Sequence, residues 1–329
     1  MLKSFRPGRM CIWLAVVTTT VTVAPVRTAA AERYALIVVG ASGEPKYAEH
    51  YPAWRATLTA ALRDRLKFPS DHVTVLAEKA EPGVERSTRE AVRQAMAGVR
   101  ANLQSDDLFF VVLVGHGTFD GQVAKFNIVG PDLDATDWSE LFRGLPGTVV
   151  VVNTTGASFP FLAELSGRDR IVVTATDSAA QRYETVFPEF FVEALDGDEA
   201  DLDKNGRVSI WEAFTYASEG VRQWYEQRGQ LSTERPLLDD NGDGTGKEAG
   251  APGPDGARAR ATYLDAGAEP VATSDGSLAA LHRRRAELER EIELLKARKS
   301  TMNSDEFAEQ FEKLVTELAK VSREIRSRS

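Results

Sequence analysis

The chain is nearly without cysteine: one in 329 residues, Cys11. That residue falls in an N-terminal stretch with the marks of an export leader, so the exported chain is expected to hold no thiol. A chain without thiols has no disulfide framework and no cysteine nucleophile. Long apolar runs are missing as well. The stretch from Cys11 to Ala24 is shorter than the roughly 20 residues that comfortable spanning of a membrane needs. Positive charge is in deficit, with 40 Lys and Arg against 49 Asp and Glu and a net charge of −9. That balance argues against nucleic acid and anionic membranes as partners, and it suits calcium.

What is present begins with the leader. Lys3, Arg6 and Arg9 form a basic start, an apolar stretch follows, and Ala29-Ala30-Ala31 offers a small-residue cleavage site before Glu32. Residues 1–31 therefore read as a signal peptide and the protein as secreted or periplasmic, with an uncleaved anchor as the alternative. Gly8-Arg9-Met10 before Cys11 is unlike a lipid-attachment site. Removing the leader takes four of the basic residues and leaves 36 against 49, a net charge of −13.

Leu108 to Val114 is an unbroken apolar run, rich in Val and Phe, followed by Gly115-His116-Gly117. Such a short run reads as a strand buried on both faces, as in a parallel sheet. Ligands of open α/β sheets bind at the carboxyl ends of strands, which is where His116 stands. A second β-branched run, Thr148 to Asn153, ends in Thr154-Thr155-Gly156-Ala157-Ser158. Further strands are expected at Tyr34 to Gly40, His72 to Leu76 and Arg170 to Thr176. Helices are expected from Pro52 to Leu66, from a Ser87-Thr88-Arg89-Glu90 capping box to about Leu103, from Asp137 to Phe142 and from Phe159 to Leu165. The alternation calls for right-handed crossovers, a parallel sheet and helices on both of its faces. His50 and His72 read as surface or packing residues. Arg182 and Glu184 read as ordinary loop polarity.

Two buried strands, one ending in Gly-His-Gly and the next in a small polar cluster, resemble the caspase/legumain-like cysteine peptidases. The resemblance implies a three-layer caspase-like α/β fold over residues 32–236. It also implies a catalytic His at the first strand end and a catalytic Cys at the next. Laid on Asn153-Thr154-Thr155, the pattern places His116 at the base and Thr155 at the nucleophile position, with Gly117 and nearby amides as an oxyanion hole. The departure is that no Cys is there. A Thr hydroxyl has no appreciable anion population near neutrality and is a far weaker nucleophile than a thiolate.

Asp201 to Glu212 is a full twelve-residue loop of EF-hand type. Asp201, Asp203 and Asn205 supply oxygens at positions 1, 3 and 5, and Gly206 fills the sharp turn. Arg207 offers a carbonyl, Ser209 an oxygen and Glu212 a bidentate carboxylate, a donor set for Ca2+. Apolar, helix-like segments flank it, Phe187 to Leu195 and Ile210 to Trp224. A partial echo, with Asp239, Asn241 and Asp243 at positions 1, 3 and 5, has Gly250 at position 12 and reads as a weak second site or a solvated turn. Residues 237–276 are read as a flexible linker around this turn. Residues 277–329 are read as a helical hairpin or antiparallel coiled coil, with Ser304 as N-cap and an oligomer through these helices as one use.

The sequence thus describes an exported, calcium-binding, catalytically inactive peptidase homologue that serves as a binding or scaffold module for a protein or peptide partner. Two alternatives stand beside it. One is a live hydrolase using a His116–Thr155 dyad, or less favourably Ser158. The other is a calcium-sensing or adhesion protein carried on the α/β domain.

Overall fold

The computed structural model describes residues 31–43, 47–181, 184–251, 253–266, 276–297 and 302–328. The leader, apart from Ala31, lies outside them, as does Arg182. Among the described residues no helix is long and apolar enough to cross a membrane.

Five strands form the parallel centre: β1 (Arg33–Val39), β2 (Val73–Ala77), β4 (Leu108–Val114), β8 (Thr148–Asn153) and β9 (Arg170–Thr174). The two-residue β3 (Glu85–Arg86) closes one edge in parallel, and β10 (Leu237–Asp239) closes the other antiparallel to β9. The order across the sheet is β10-β9-β8-β4-β1-β2-β3. Every side chain from Phe109 to Val114 is buried, because successive side chains face opposite sides and both sides are covered.

One layer holds α1 (Tyr47–Ala60), α5 (Phe187–Asp196) and α6 (Ile210–Gln227), and it packs on Ala35, Ile37, Phe110, Val112, Val150 and Val152. The other holds α2 (Arg89–Asn102), α3 (Ala135–Phe142) and α4 (Phe159–Leu165), on Leu36, Val38, Phe109, Val111 and Val151. Helix, sheet and helix make the three layers that the alternation foretold.

Several boundaries differ from expectation for physical reasons. The first helix begins at Tyr47, and Pro52 stands inside it rather than at its entrance. Burial of Tyr47 and Tyr51 holds the extra turn in place although Pro52 donates no backbone bond there. A π-helical turn, Ala61–Arg65, continues this helix. The cap of α2 is Thr88, whose hydroxyl accepts the Ala91 amide at 3.2 Å, while Ser87 is buried. The third helix starts at Ala135 behind a reciprocal Asp134–Asp137 box.

A small antiparallel sheet was not foreseen: β5 (Gly117–Phe119), β6 (Ala124–Phe126) and β7 (Leu133–Asp134). Its strands are too short for any periodicity to register. The largest correction concerns the stretch read as a linker. Leu237–Asp239 is the edge strand, Ala257–Ala261 is helix α7, and Ala259 and Leu264 are fully buried in the core.

The hairpin expectation meets α8 (Gly276–Ala297) and α9 (Ser304–Arg328). Leu278 and Leu288 pack with Val321 and Ile325, and Arg328 donates to the Ser277 hydroxyl at 2.8 Å, so the helices run antiparallel. Asn303 caps α9 in place of Ser304, its side chain accepting the Asp305 amide at 2.8 Å.

Phe110 lies at the centre of the sheet with no exposed surface. Phe110→Ala is expected to lower stability by about 3–5 kcal/mol through lost burial and a residual cavity. Urea denaturation of the two proteins measures this.

Candidate functional site

Strands β4 and β8 are neighbours in parallel, with Leu113 opposite Asn153. Their carboxyl ends therefore bring the Gly-His-Gly turn and the Thr-Thr-Gly turn together. Contact there is close enough to dictate glycine. A Cβ on Gly117 would lie 2.0 Å from the Gly156 carbonyl oxygen and 2.6 Å from Thr155 Oγ1. Gly115 adopts φ +150 and rests on the backbone of Gly40.

His116 is held on three sides. Its Nε2 lies 3.0 Å from the Ser42 carbonyl oxygen and 3.3 Å from Tyr51 Oη. The Tyr47 ring meets the imidazole edge-on at 4.4 Å between centroids. A carbonyl only accepts, so the Ser42 contact places a proton on Nε2. The Ser42 carbonyl is thus the orienting group that the sequence did not reveal. Burial, with Glu184 nearby, raises the Tyr51 phenol far above its ordinary pKa, so Tyr51 stays neutral. A cavity of about 120 Å³ opens beside these partners, lined by Ser42, Tyr51, Arg55, Glu78 and Glu81 among others.

Thr155 is fully buried and its hydroxyl is committed. Oγ1 is 2.8 Å from Asn153 Oδ1 and 3.0 Å from the Gly156 carbonyl oxygen, both of which only accept. The Thr155 amide also donates to Asn153 Oδ1, at 3.1 Å. Asn153 Nδ2 is buried there and meets no acceptor among the described residues. Ser158, the second candidate, is equally engaged: Oγ accepts the Ala175 and Thr176 amides at 3.1 and 3.2 Å and pairs with Thr176 Oγ1. Each hydroxyl would have to break existing hydrogen bonds before it could attack anything.

Behind the turn sits a buried carboxylate that sequence reasoning passed over. Glu234 is 2% exposed and accepts the Val186 amide at 2.9 Å, the Phe187 amide at 3.1 Å and the Tyr225 hydroxyl at 2.9 Å. Burial outweighs these donors and, with Glu184 nearby, pushes its pKa up to about 7.

The loop between α5 and α6 brings oxygens of Asp201, Asp203 and Glu212 within 4.8 Å of one another. Asp201 accepts the Asn205 and Gly206 amides at 3.0 and 2.9 Å. Glu212 accepts the Leu202 amide at 3.0 Å and the Ser209 amide at 2.9 Å, while the Ser209 hydroxyl caps α6. Gly206 has φ +84, the turn its position was expected to need. The side chains of Asn205 and Arg207 turn toward the stretch after α7. Asn205 Nδ2 donates to Tyr263 Oη at 3.2 Å, and Arg207 stacks 3.8 Å above the Tyr263 ring and pairs with Asp265.

The second loop is a fold-building turn. Buried Asp239 accepts the Gly242 and Gly244 amides at 2.9 and 2.8 Å and the Ser166 hydroxyl at 2.6 Å, tying β10 to the end of α4. Asn241 accepts the Asp243 amide at 2.8 Å. Among the described residues its carboxylates join no convergent group of three.

No protein-family model and no curated protein matches the chain. Several solved structures are similar to it. Protein GSU0716 from Geobacter sulfurreducens shares 14% identity, covering 63% of this chain and 92% of that one, with TM-score 0.41. Caspase-1 from Spodoptera frugiperda shares 10%, covering 64% and 87%, with TM-score 0.44. The Drosophila initiator caspase Dronc shares 14%, covering 66% and 82%, with TM-score 0.42. Likeness this distant carries no statement about activity.

The Glu234 carboxyl sets a pH dependence. Between the ordinary carboxylate value and about 7, the folded chain retains a proton that the unfolded chain releases. Stability is therefore expected to fall as pH rises through that window. Melting curves from pH 4.5 to 8 should show this slope in the wild type and a flatter profile in Glu234→Gln.

Proposed function

We propose that the chain is an exported, calcium-holding, catalytically silent relative of the caspase/legumain-like peptidases, acting as a binding module for a protein or peptide. One observation carries the silence. The hydroxyl at the nucleophile position is buried and hydrogen-bonded to two fixed acceptors. Cys11 is the only cysteine of the chain, and position 155 carries a Thr.

The active alternative draws on one specific feature, the imidazole oriented by the Ser42 carbonyl. A peptide library incubated with the purified protein separates the two readings. Silence means no cleavage by the wild type. Cleavage that disappears in both His116→Ala and Thr155→Ala would establish the hydrolase instead.

For the loop, the donor set is the supporting chemistry. Carboxylates of Asp201, Asp203 and Glu212, the Asn205 amide, the Arg207 carbonyl and the Ser209 hydroxyl offer oxygen alone, as a hard cation prefers. These six residues would hold Ca2+, which would tie the exit of α5 to the entrance of α6. Calorimetry with Ca2+ is expected to give binding heat and a raised melting temperature in the wild type, weakened by at least about tenfold in Glu212→Gln. No heat and no thermal shift in the wild type would remove calcium from the account.

A further inference from the structure

We propose that the C-terminal hairpin joins two copies of this chain, α9 of one lying antiparallel on α9 of the other. The surface that carries the pairing is a second line of residues on α9, beside the seam that meets α8. The seam packs through Leu314, Leu318, Val321 and Ile325. The second line is Ser304, Ala308, Phe311, Val315, Leu318 and Ser322, at steps of four, three, four, three and four, and it bears no charge. Ala308 and Val315 are exposed, Val315 by 40%, and Phe311, Leu318 and Ser322 are half-buried. Among the described residues the extended packing of α9 is against α8 alone. A helix pair needs only a narrow seam, whereas a helix of a bundle shows the wider apolar face that these two lines make together.

The other flank of α9 has a different character. Glu306 accepts from Gln310 at 3.1 Å, Lys320 pairs with Glu317 at 2.7 Å, and Arg328 pairs with Glu324. These contacts lie within one helix and are open to solvent. The uncharged line offers water only the hydroxyls of Ser304 and Ser322, so covering Phe311, Val315 and Leu318 is favourable.

Charge selects the occupant and its direction. Along the outer border of the uncharged line stand Asp305, Glu312, Arg323 and Arg326, acids before Val315 and bases after it. The whole helix follows this division. Ser304 to Val315 holds four acids and one base, and Thr316 to Arg328 holds four bases and two acids. A second copy laid antiparallel sets acidic half on basic half twice over, about one two-fold axis near Val315. A parallel copy would set like charge on like. The face is thus complementary to itself, in one orientation.

Sedimentation velocity on the purified full chain tests this. The wild type is expected to be a dimer at micromolar concentration, with a dissociation constant that rises about tenfold as NaCl rises from about 50 to about 500 mM. Val315→Glu, which puts a charge into the middle of the contact, should weaken the dimer by at least about tenfold while the helical circular dichroism persists. Arg323→Glu with Arg326→Glu should weaken it too, and so should Asp305→Lys with Glu312→Lys, because each sets like charge on like across the axis. Mixing these two double variants should restore the dimer, a recovery that misfolded protein does not give. A wild type that stays monomeric up to about 100 μM would overturn the proposal and leave this face to the chain's own α/β domain or to an unlike protein. So would a dimer that Val315→Glu leaves intact, a mixture no tighter than its parts, or a dimer that salt strengthens, the sign of a parallel pairing. Sedimentation reads mass, so the result is independent of cleavage and of calcium.

Discussion

The in-register pairing of β4 with β8 is the constraint on which everything else in the domain rests. Parallel strands place their carboxyl ends at one edge, so residues 40 positions apart in sequence become neighbours: Leu113 stands opposite Asn153. The turns that follow touch backbone to backbone, and only glycine at position 117 leaves room for the Gly156 carbonyl. His116 is delivered to this edge by one strand and Thr155 by the other. Burial of both sheet faces keeps the register from slipping, since a shift of one residue would move every side chain to the opposite face.

The same edge presents two halves in opposite condition. The histidine half is ordered, with Nε2 held by the Ser42 carbonyl and the ring wedged between tyrosines. The hydroxyl half is closed, its proton engaged and its surface covered. An oriented imidazole near an engaged hydroxyl is the support for the proposed binding role. Glu234 ties the start of α5 to Tyr225 near the end of α6, and the acidic loop lies at the junction of the same two helices. Both features touch α6: Glu212 lies in its first turn and Tyr225 in its last.

The parallel core was legible because its strands are short, unbroken apolar runs, and the crossovers between them follow from chirality. The sharp turn at Gly206 was legible because only glycine sits readily at positive φ, and Gly206 has φ +84. What stayed hidden depends on contacts between distant residues. Ser42 matters through a backbone carbonyl, which no side-chain pattern advertises. Tyr47 and Tyr51, four apart on one helix face, were a readable signal, obscured by Pro52 as an apparent helix start. Glu234 is revealed only by its burial among the amides it accepts. The polar composition of residues 237–276 suggested a linker, yet among the described residues Asp239 and Asp240 turn that polarity inward and satisfy backbone amides.

The most direct measurement of the closed hydroxyl is chemical. The purified protein, treated with an excess of a fluorophosphonate that traps activated hydroxyls, should show an unchanged intact mass and no adduct on the peptide containing Thr155. A stoichiometric adduct mapped to Thr155, and absent in His116→Ala, would contradict a locked hydroxyl and return the site to catalysis.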